Sequence, residues 1–275
     1  MANKSSANIF TRAYNVARST GVLDLPLFQR AFLTSYFLYK RWHEDPFWAL
    51  ARRRPELFAG GDILDIGANI GYTASVFAGV TDALSKVYAF EPDAASFATL
   101  NEIVRRKKIG ERVEMFNMAV GSTDGVLEFW HNDEHAADHR VVTEEFRNSR
   151  GSDAKITSVP VTSVDSFVTS RNLQKISFIK MDVQGYELAV CEGMRRTLEK
   201  FPEACVAFEF APEGMRELGF EAARLLEFFR AAGYQLHILT RSGVSAAAAN
   251  PAIEAASRAK GYVDVLCSRK TLAAS

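Results

Sequence analysis

Three short stretches of this 275-residue chain hold the residue types and spacings that do chemistry. In ILDIGANIGY, residues 63–72, an apolar run carrying Asp65 leads into Gly67, Asn69 and Gly71. Glycines at the end of a strand let backbone come close to a ligand. In FIKMDVQGYE, residues 178–187, Lys180 and Asp182 alternate along one side of a strand, and Glu187 follows at a helix start. Carboxylates so placed suit proton transfer or substrate positioning. In HNDEHAADHR, residues 131–140, His131, His135 and His139 recur at every fourth position. On a helix, that spacing would line one face with imidazoles for a metal or a proton. A solvated polar loop is the simpler reading, and no metal is assigned.

The elements that must position these residues follow from periodicity. ILDI, KVYAFE, VEMFNM, ISFIKMD, ACVAFEF, YQLHIL and YVDVLCS read as strands, with helices near 72–79, 94–107, 187–199, 221–231 and 251–259 between most of them. Near-continuous apolar strands alternating with helices predict a Rossmann-like, mostly parallel α/β sheet covered on both faces. VLEFWH and ITSVPVTSV add strands around a polar loop, a β insertion after the third strand. Residues 240–260, rich in Ala and Ser, show little sign of further core.

Ligands of open parallel sheets bind at the carboxyl ends of the strands, where residues 65–71 fall. A dinucleotide is disfavoured there. G-x-N-x-G lacks the third glycine of a pyrophosphate cradle, and Asp65 would repel phosphate while suiting an ammonium. Glu91, at the end of the next strand in YAFEPD, is placed to accept hydrogen bonds from a ribose diol. A nucleoside that carries an amino acid and no phosphate matches both carboxylates, and S-adenosylmethionine (SAM) is such a molecule.

LDIGANIG resembles motif I of the class I methyltransferases, AFEPD their second motif, and FNMAVG their adenine-side segment. Together with FIKMDVQGYE these resemble the FkbM family of SAM-dependent methyltransferases, over roughly residues 60–200. The resemblance implies a seven-stranded sheet with its last strand antiparallel, SAM as cofactor, and a hydroxyl acceptor on a saccharide or secondary metabolite. It places Asp65, Gly67, Asn69 and Gly71 beneath the methionine part of the cofactor, Glu91 on the ribose, and Asn117 and Ala119 beside the adenine.

Methyl transfer to an alcohol calls for a base. Asp182, at the strand end beside the cofactor, is a candidate both for that role and for positioning, with Glu187, His135 and His139 the other candidates. Lys180, inside a sheet, must be paired, and Glu209 on the neighbouring strand is an expected partner. Asp182-Val183-Gln184-Gly185 is not the Asn/Asp-Pro-Pro-aromatic turn of nucleobase amino methylation. Gln184 stands where the family more commonly has Glu, which removes a carboxylate that a metal would use. The alternatives are an N-methyltransferase for a small amine and a SAM-binding protein without turnover.

Composition sets the outer bounds. Lys and Arg number 33, as do Asp and Glu, so a general electrostatic grip on nucleic acid is not expected. Residues 1–58 hold nine basic against four acidic residues and read as a basic helical extension, with residues 59–275 as the catalytic domain. Its aromatics Phe28, Phe32, Tyr36 and Phe37 share one helix side and suit a lid, an added layer or a homodimer contact; Arg52, Arg53 and Arg54 form a charge run. Three unpaired-looking cysteines, no signal-peptide pattern and no apolar run of spanning length predict a cytoplasmic protein without membrane association.

Overall fold

The structure is a computed structural model and describes residues 26–130, 139–150 and 156–274. Its main sheet has eight strands: β1 (Asp62–Ile66), β2 (Val87–Phe90), β3 (Val113–Phe116), β8 (Ile176–Met181), β9 (Cys205–Phe210), β10 (Gln235–Thr240), β11 (Gly243–Ala247) and β12 (Val263–Ser268). They lie in the order β11-β10-β12-β9-β8-β1-β2-β3. From β3 to β9 every pairing is parallel, while β12 runs antiparallel to both β9 and β10. The insertion forms a second sheet of β4 (Ala119–Gly121), β5 (Gly125–Trp130), β6 (Arg140–Val141) and β7 (Ile156–Ser163) in the order β4-β7-β5-β6.

The seven expected strands are present with the last one reversed, and β11 adds an eighth. This strand pairs with β10 through a tight hairpin inside the Ala/Ser-rich stretch. Small residues supplied no apolar run to mark it, yet Val244 is buried beneath Leu239 in one core cluster. The helix expected over 187–199 is two helices, Glu187–Glu192 and Arg195–Lys200. Between them a Cβ on Gly193 would sit 2.1 Å from the Gly121 carbonyl oxygen, so the backbones meet where only glycine fits.

Alternation along the strands divides the core. Leu64, Ile66, Ile179, Met181 and Phe208 face one side, packed against the helix Ala222–Ala231 through Leu225 and Phe229. Ile63, Phe178 and Ala207 face the other, with Phe47, Leu50 and Ala51 of the short helix Phe47–Arg53 and with Phe58. Residues 47–58 are therefore part of the layer covering this face. The Phe58 and Phe178 rings lie 4.5 Å apart, and Phe47 meets Phe77 edge-on at 5.8 Å. Ahead of them, a helix described over Pro26–Tyr39 continues into a π-helical turn, Lys40–Glu44. No described helix is long and apolar enough to cross a membrane.

Phe178 is fully buried where sheet and N-terminal layer meet. Phe178→Ala should cost about 3–5 kcal/mol of unfolding free energy, read as a lowered urea midpoint; a shift under ~1 kcal/mol would mean that this layer does not pack as described.

Candidate active site

A cleft of about 420 Å³ opens at the carboxyl ends of β2, β1, β8 and β9, roofed by the insertion and by the N-terminal helix. Its volume falls within the ~300–1,000 Å³ of small-molecule sites.

The turn after β1 is shaped by backbone hydrogen bonds. The Gly67 and Ala68 N–H groups both donate to the Phe90 carbonyl, at 3.0 and 2.9 Å, which ties the turn to the end of β2. On the other side, the Asp182 N–H donates to Ile66 O at 3.0 Å. Gly67 has φ +76°, and a Cβ there would lie 1.9 Å from the Asp182 carbonyl oxygen. No side chain fits that gap. Asn69 adopts φ +49°, which its short amide side chain tolerates. Its N–H donates to Glu91 Oε2 at 2.8 Å, while the Asp93 N–H donates to Oε1 at 2.8 Å. Two backbone donors thus fix the Glu91 carboxylate, and each oxygen keeps capacity to accept a further hydrogen bond at the edge of the cleft that Glu91 lines. Burial pushes the Glu91 carboxyl up to about 7, against the lowering pull of the Asp93 and Asn69 N–H bonds.

Lys180 joins the strand ends. It pairs in register with Asp65 across β8 and β1. Its ammonium donates to the Gly67 carbonyl at 2.8 Å and lies 3.4 Å from Asp65 and 3.6 Å from Asp182. Burial works against the charge, but Asp65 and then Asp182 outweigh it and hold Lys180 above its ordinary value. The partner of Lys180 is therefore Asp65 with Asp182, in place of the expected Glu209. Asp65 is fully buried, accepts from the Thr73 hydroxyl at 2.7 Å, and is absent from the cleft lining.

The other sequence candidates separate into two groups. Gly67, Asn69, Glu91, Ala119, Asp182 and His139 line the cleft. Gly71, Asn117 and Glu187 do not. Gly71 caps the helix Tyr72–Phe77. The Asn117 amide donates to the carbonyls of Glu91 and Pro92 at 2.9 and 3.1 Å, bracing the end of β2. Glu187 accepts from the Val183 N–H at 3.0 Å and closes the turn after β8; burial pushes its carboxyl up to about 7. His131 and His135 lie outside the described residues. His139 precedes β6, with Nε2 3.7 Å from Asp93 and its ring 6.2 Å from Phe129. Among the described residues no group of His, Cys, Asp and Glu is arranged to hold a metal.

Tyr36, one of the aromatics expected to suit a lid, lines the cleft, whereas sequence reasoning did not find Lys40, Tyr262 or the site role of Glu209, which line it too. Of these three, only Glu209 left a signal, as a carboxylate next to last in an otherwise apolar strand. Asp182 is 38% exposed and accepts from the Gln184 amide at 2.9 Å, so Gln184 binds the residue that its Glu counterpart would repel.

Lys180→Met would leave Asp65 as a buried, uncompensated charge. The variant should lose about 3–5 kcal/mol of stability, and adding Asp65→Asn should recover part of that loss; strict additivity in this double-mutant cycle would show that the two side chains do not interact.

Comparison with known proteins agrees with the geometry. A family model described as the methyltransferase FkbM domain matches residues 65–236, more than half of the chain. Hexuronic acid methyltransferase AglP of Haloferax volcanii is 30% identical over 140 residues, 50% of this chain and 52% of that protein. The crystal structure of methyltransferase FkbM from Methylobacillus flagellatus superposes with a TM-score of 0.50 at 19% identity, over 86% of this chain and 51% of that one. The chain thus spans about half the length of each relative. With the Asp65–Gly71 turn, the Glu91 strand end and the Asp182 turn all inside the matched region, the chain belongs to the FkbM family of methyltransferases.

Proposed function

We propose that this protein transfers a methyl group from SAM to a hydroxyl of a saccharide acceptor. The observation that carries the cofactor assignment is the Glu91 carboxylate, held by two backbone N–H groups in the lining of a cleft beside a glycine turn. The donor set fits SAM. Glu91 would hold the ribose diol, the 67–69 turn and Asp182 the amino-acid end, and Phe90, Met118, Ala119 and Val120 the adenine between apolar walls. Asp65 would act at one remove, by fixing Lys180 and through it the Gly67 carbonyl.

Bound SAM supplies a methyl group made electrophilic by its sulfonium. The chain's own contribution is alignment, because in-line displacement gains most from a fixed approach angle. Asp182, anchored by Lys180 and Gln184, presents its carboxylate at the β8 tip, where an acceptor hydroxyl would meet the cofactor. The saccharide assignment is supported by the likeness to AglP, a hexuronic acid methyltransferase.

Calorimetric titration with S-adenosylhomocysteine should give micromolar binding, with none for NADH. Glu91→Ala should weaken it by about 2 kcal/mol, roughly 30-fold, the worth of a charge-assisted pair of hydrogen bonds. Glu91→Gln should also weaken it, since an amide must turn its NH₂ against one of the two backbone donors. Unchanged affinity in both variants would remove Glu91 from the cofactor site.

A further inference from the structure

The cleft contains a carboxylate that the reading above leaves without a task. We propose that Glu209 is the proton acceptor of the reaction, taking the hydroxyl proton of the acceptor as the methyl group is transferred; this rests on the methyltransferase reading and extends it.

Position comes first. Met181 of β8 pairs with Phe208 of β9, so Asp182 and Glu209 follow side by side at adjacent strand tips. Both line the cleft. Glu91 ends β2, and from there the strands run β2-β1-β8-β9. Three strand spacings put Glu209 roughly 14 Å across the sheet from the ribose carboxylate. The reacting centre must lie between them, near β8, with Glu209 on its far side.

Bonding separates Glu209 from its competitors. Asp182 already engages the Lys180 ammonium and the Gln184 amide. Glu187 is shut out of the cleft, with its bond to Val183 N–H closing a turn. His139 lies by Asp93 at the β2 end, on the ribose side. The Glu209 side chain, half-buried in the cleft wall, makes no hydrogen bond and no ion pair among the described residues. A carboxylate with no obligations can receive a proton without breaking another contact.

The surroundings make it a stronger base than an ordinary carboxylate. Burial is the largest influence, followed by the charges of Asp182 on β8, Asp264 on β12 and Glu187 at the next helix; together these push the Glu209 carboxyl well above its usual range, with Lys40 of the π-helical turn pulling the other way. Asp264 is the direct cross-strand neighbour of Glu209, and burial, then Asp45 and Asp182, push its own carboxyl up to about 8. A base nearer neutrality accepts an alcohol proton at less cost as the oxygen begins to bond. In the step, the acceptor oxygen bonds to the methyl carbon, the carbon–sulfur bond breaks with its electron pair left on sulfur, and the hydroxyl proton moves to Glu209. An ether, a thioether and a protonated Glu209 result, and the proton leaves to solvent as the products depart.

The test uses the full chain with methyl-labelled SAM and two probe acceptors, a methyl hexuronoside and the corresponding neutral methyl hexoside. Glu209→Gln should lower kcat by about 100-fold or more, leave acceptor KM and S-adenosylhomocysteine affinity within about threefold, and abolish the rise in rate with pH that the wild type shows as Glu209 ionises. A second readout needs no turnover. The folded protein holds the Glu209 proton more tightly than the unfolded chain does. The stability it contributes is complete below the ordinary carboxylate pKa and is lost as pH rises. Cofactor-free Glu209→Gln should therefore melt with the wild type near pH ~4 and several degrees above it near pH ~8. Turnover within threefold of wild type, or a loss of S-adenosylhomocysteine binding as large as the loss of rate, would overturn the assignment. Failure of the wild type itself to bind S-adenosylhomocysteine would overturn the methyltransferase reading, and this assignment with it.

Discussion

A buried ammonium among strand tips is costly unless every direction around it is filled, and Lys180 is held in this way. Asp65 faces it from the neighbouring strand, Asp182 follows it on its own strand, and the Gly67 carbonyl accepts from it. Each partner belongs to a different piece of the site. The charge therefore fixes the β1 strand, the glycine turn and the β8 tip relative to one another. The Thr73 hydroxyl carries the same constraint into the helix after the turn by donating to Asp65. The absence of any side chain at Gly67 belongs to this arrangement as well, because the closeness of the turn to Asp182 is what brings its carbonyl within reach of the ammonium.

The carboxylates of the cleft differ in how many partners each already serves. Glu91 is fixed by two backbone N–H donors, an arrangement suited to holding a neutral diol in one orientation. Asp182 faces a cation and an amide, which locks its direction. Glu209 serves none among the described residues and is surrounded by other acids. Residues of one chemical type are thereby given separate properties by their neighbours, with the carboxylate at the β2 end held by backbone donors and the one at the β9 end raised in proton affinity by burial and nearby acids.

Much of this was legible in the sequence, and the gaps have physical causes. The strands of the main sheet announce themselves because both faces are covered, which forces nearly continuous apolar runs such as those of β1 and β8. Strand β11 left no such trace, since an edge strand of Gly, Val, Ser and Ala buries little. Period-two alternation placed Lys180 and Asp182 correctly on one side of β8. It could not choose between the two flanking strands, and only the register of β1 gives Lys180 to Asp65. Asp65 and Glu187 stand beside the site in sequence but are buried outside the cleft lining, a distinction that depends on three-dimensional packing. His139 reaches the cleft from just ahead of a two-residue strand, so helical spacing was not the property that put it there.

The N-terminal layer bears on the site through contacts that composition does not disclose. Two arginines of the charge run serve as ties. Arg53 donates to the carbonyls of Arg241 and Ser242 in the β10–β11 hairpin, and Arg54 donates to Ala273 O and Glu56. Those bonds bind the layer to the last part of the chain, while Phe47 and Phe58 bind it to the sheet centre. With its base so anchored, the preceding helix and π-helical turn can hold Tyr36 and Lys40 in the cleft wall. Lys40 is the cation that opposes the raised proton affinity of Glu209. Any displacement of this layer would therefore alter the basicity at the β9 tip as well as the opening of the cleft.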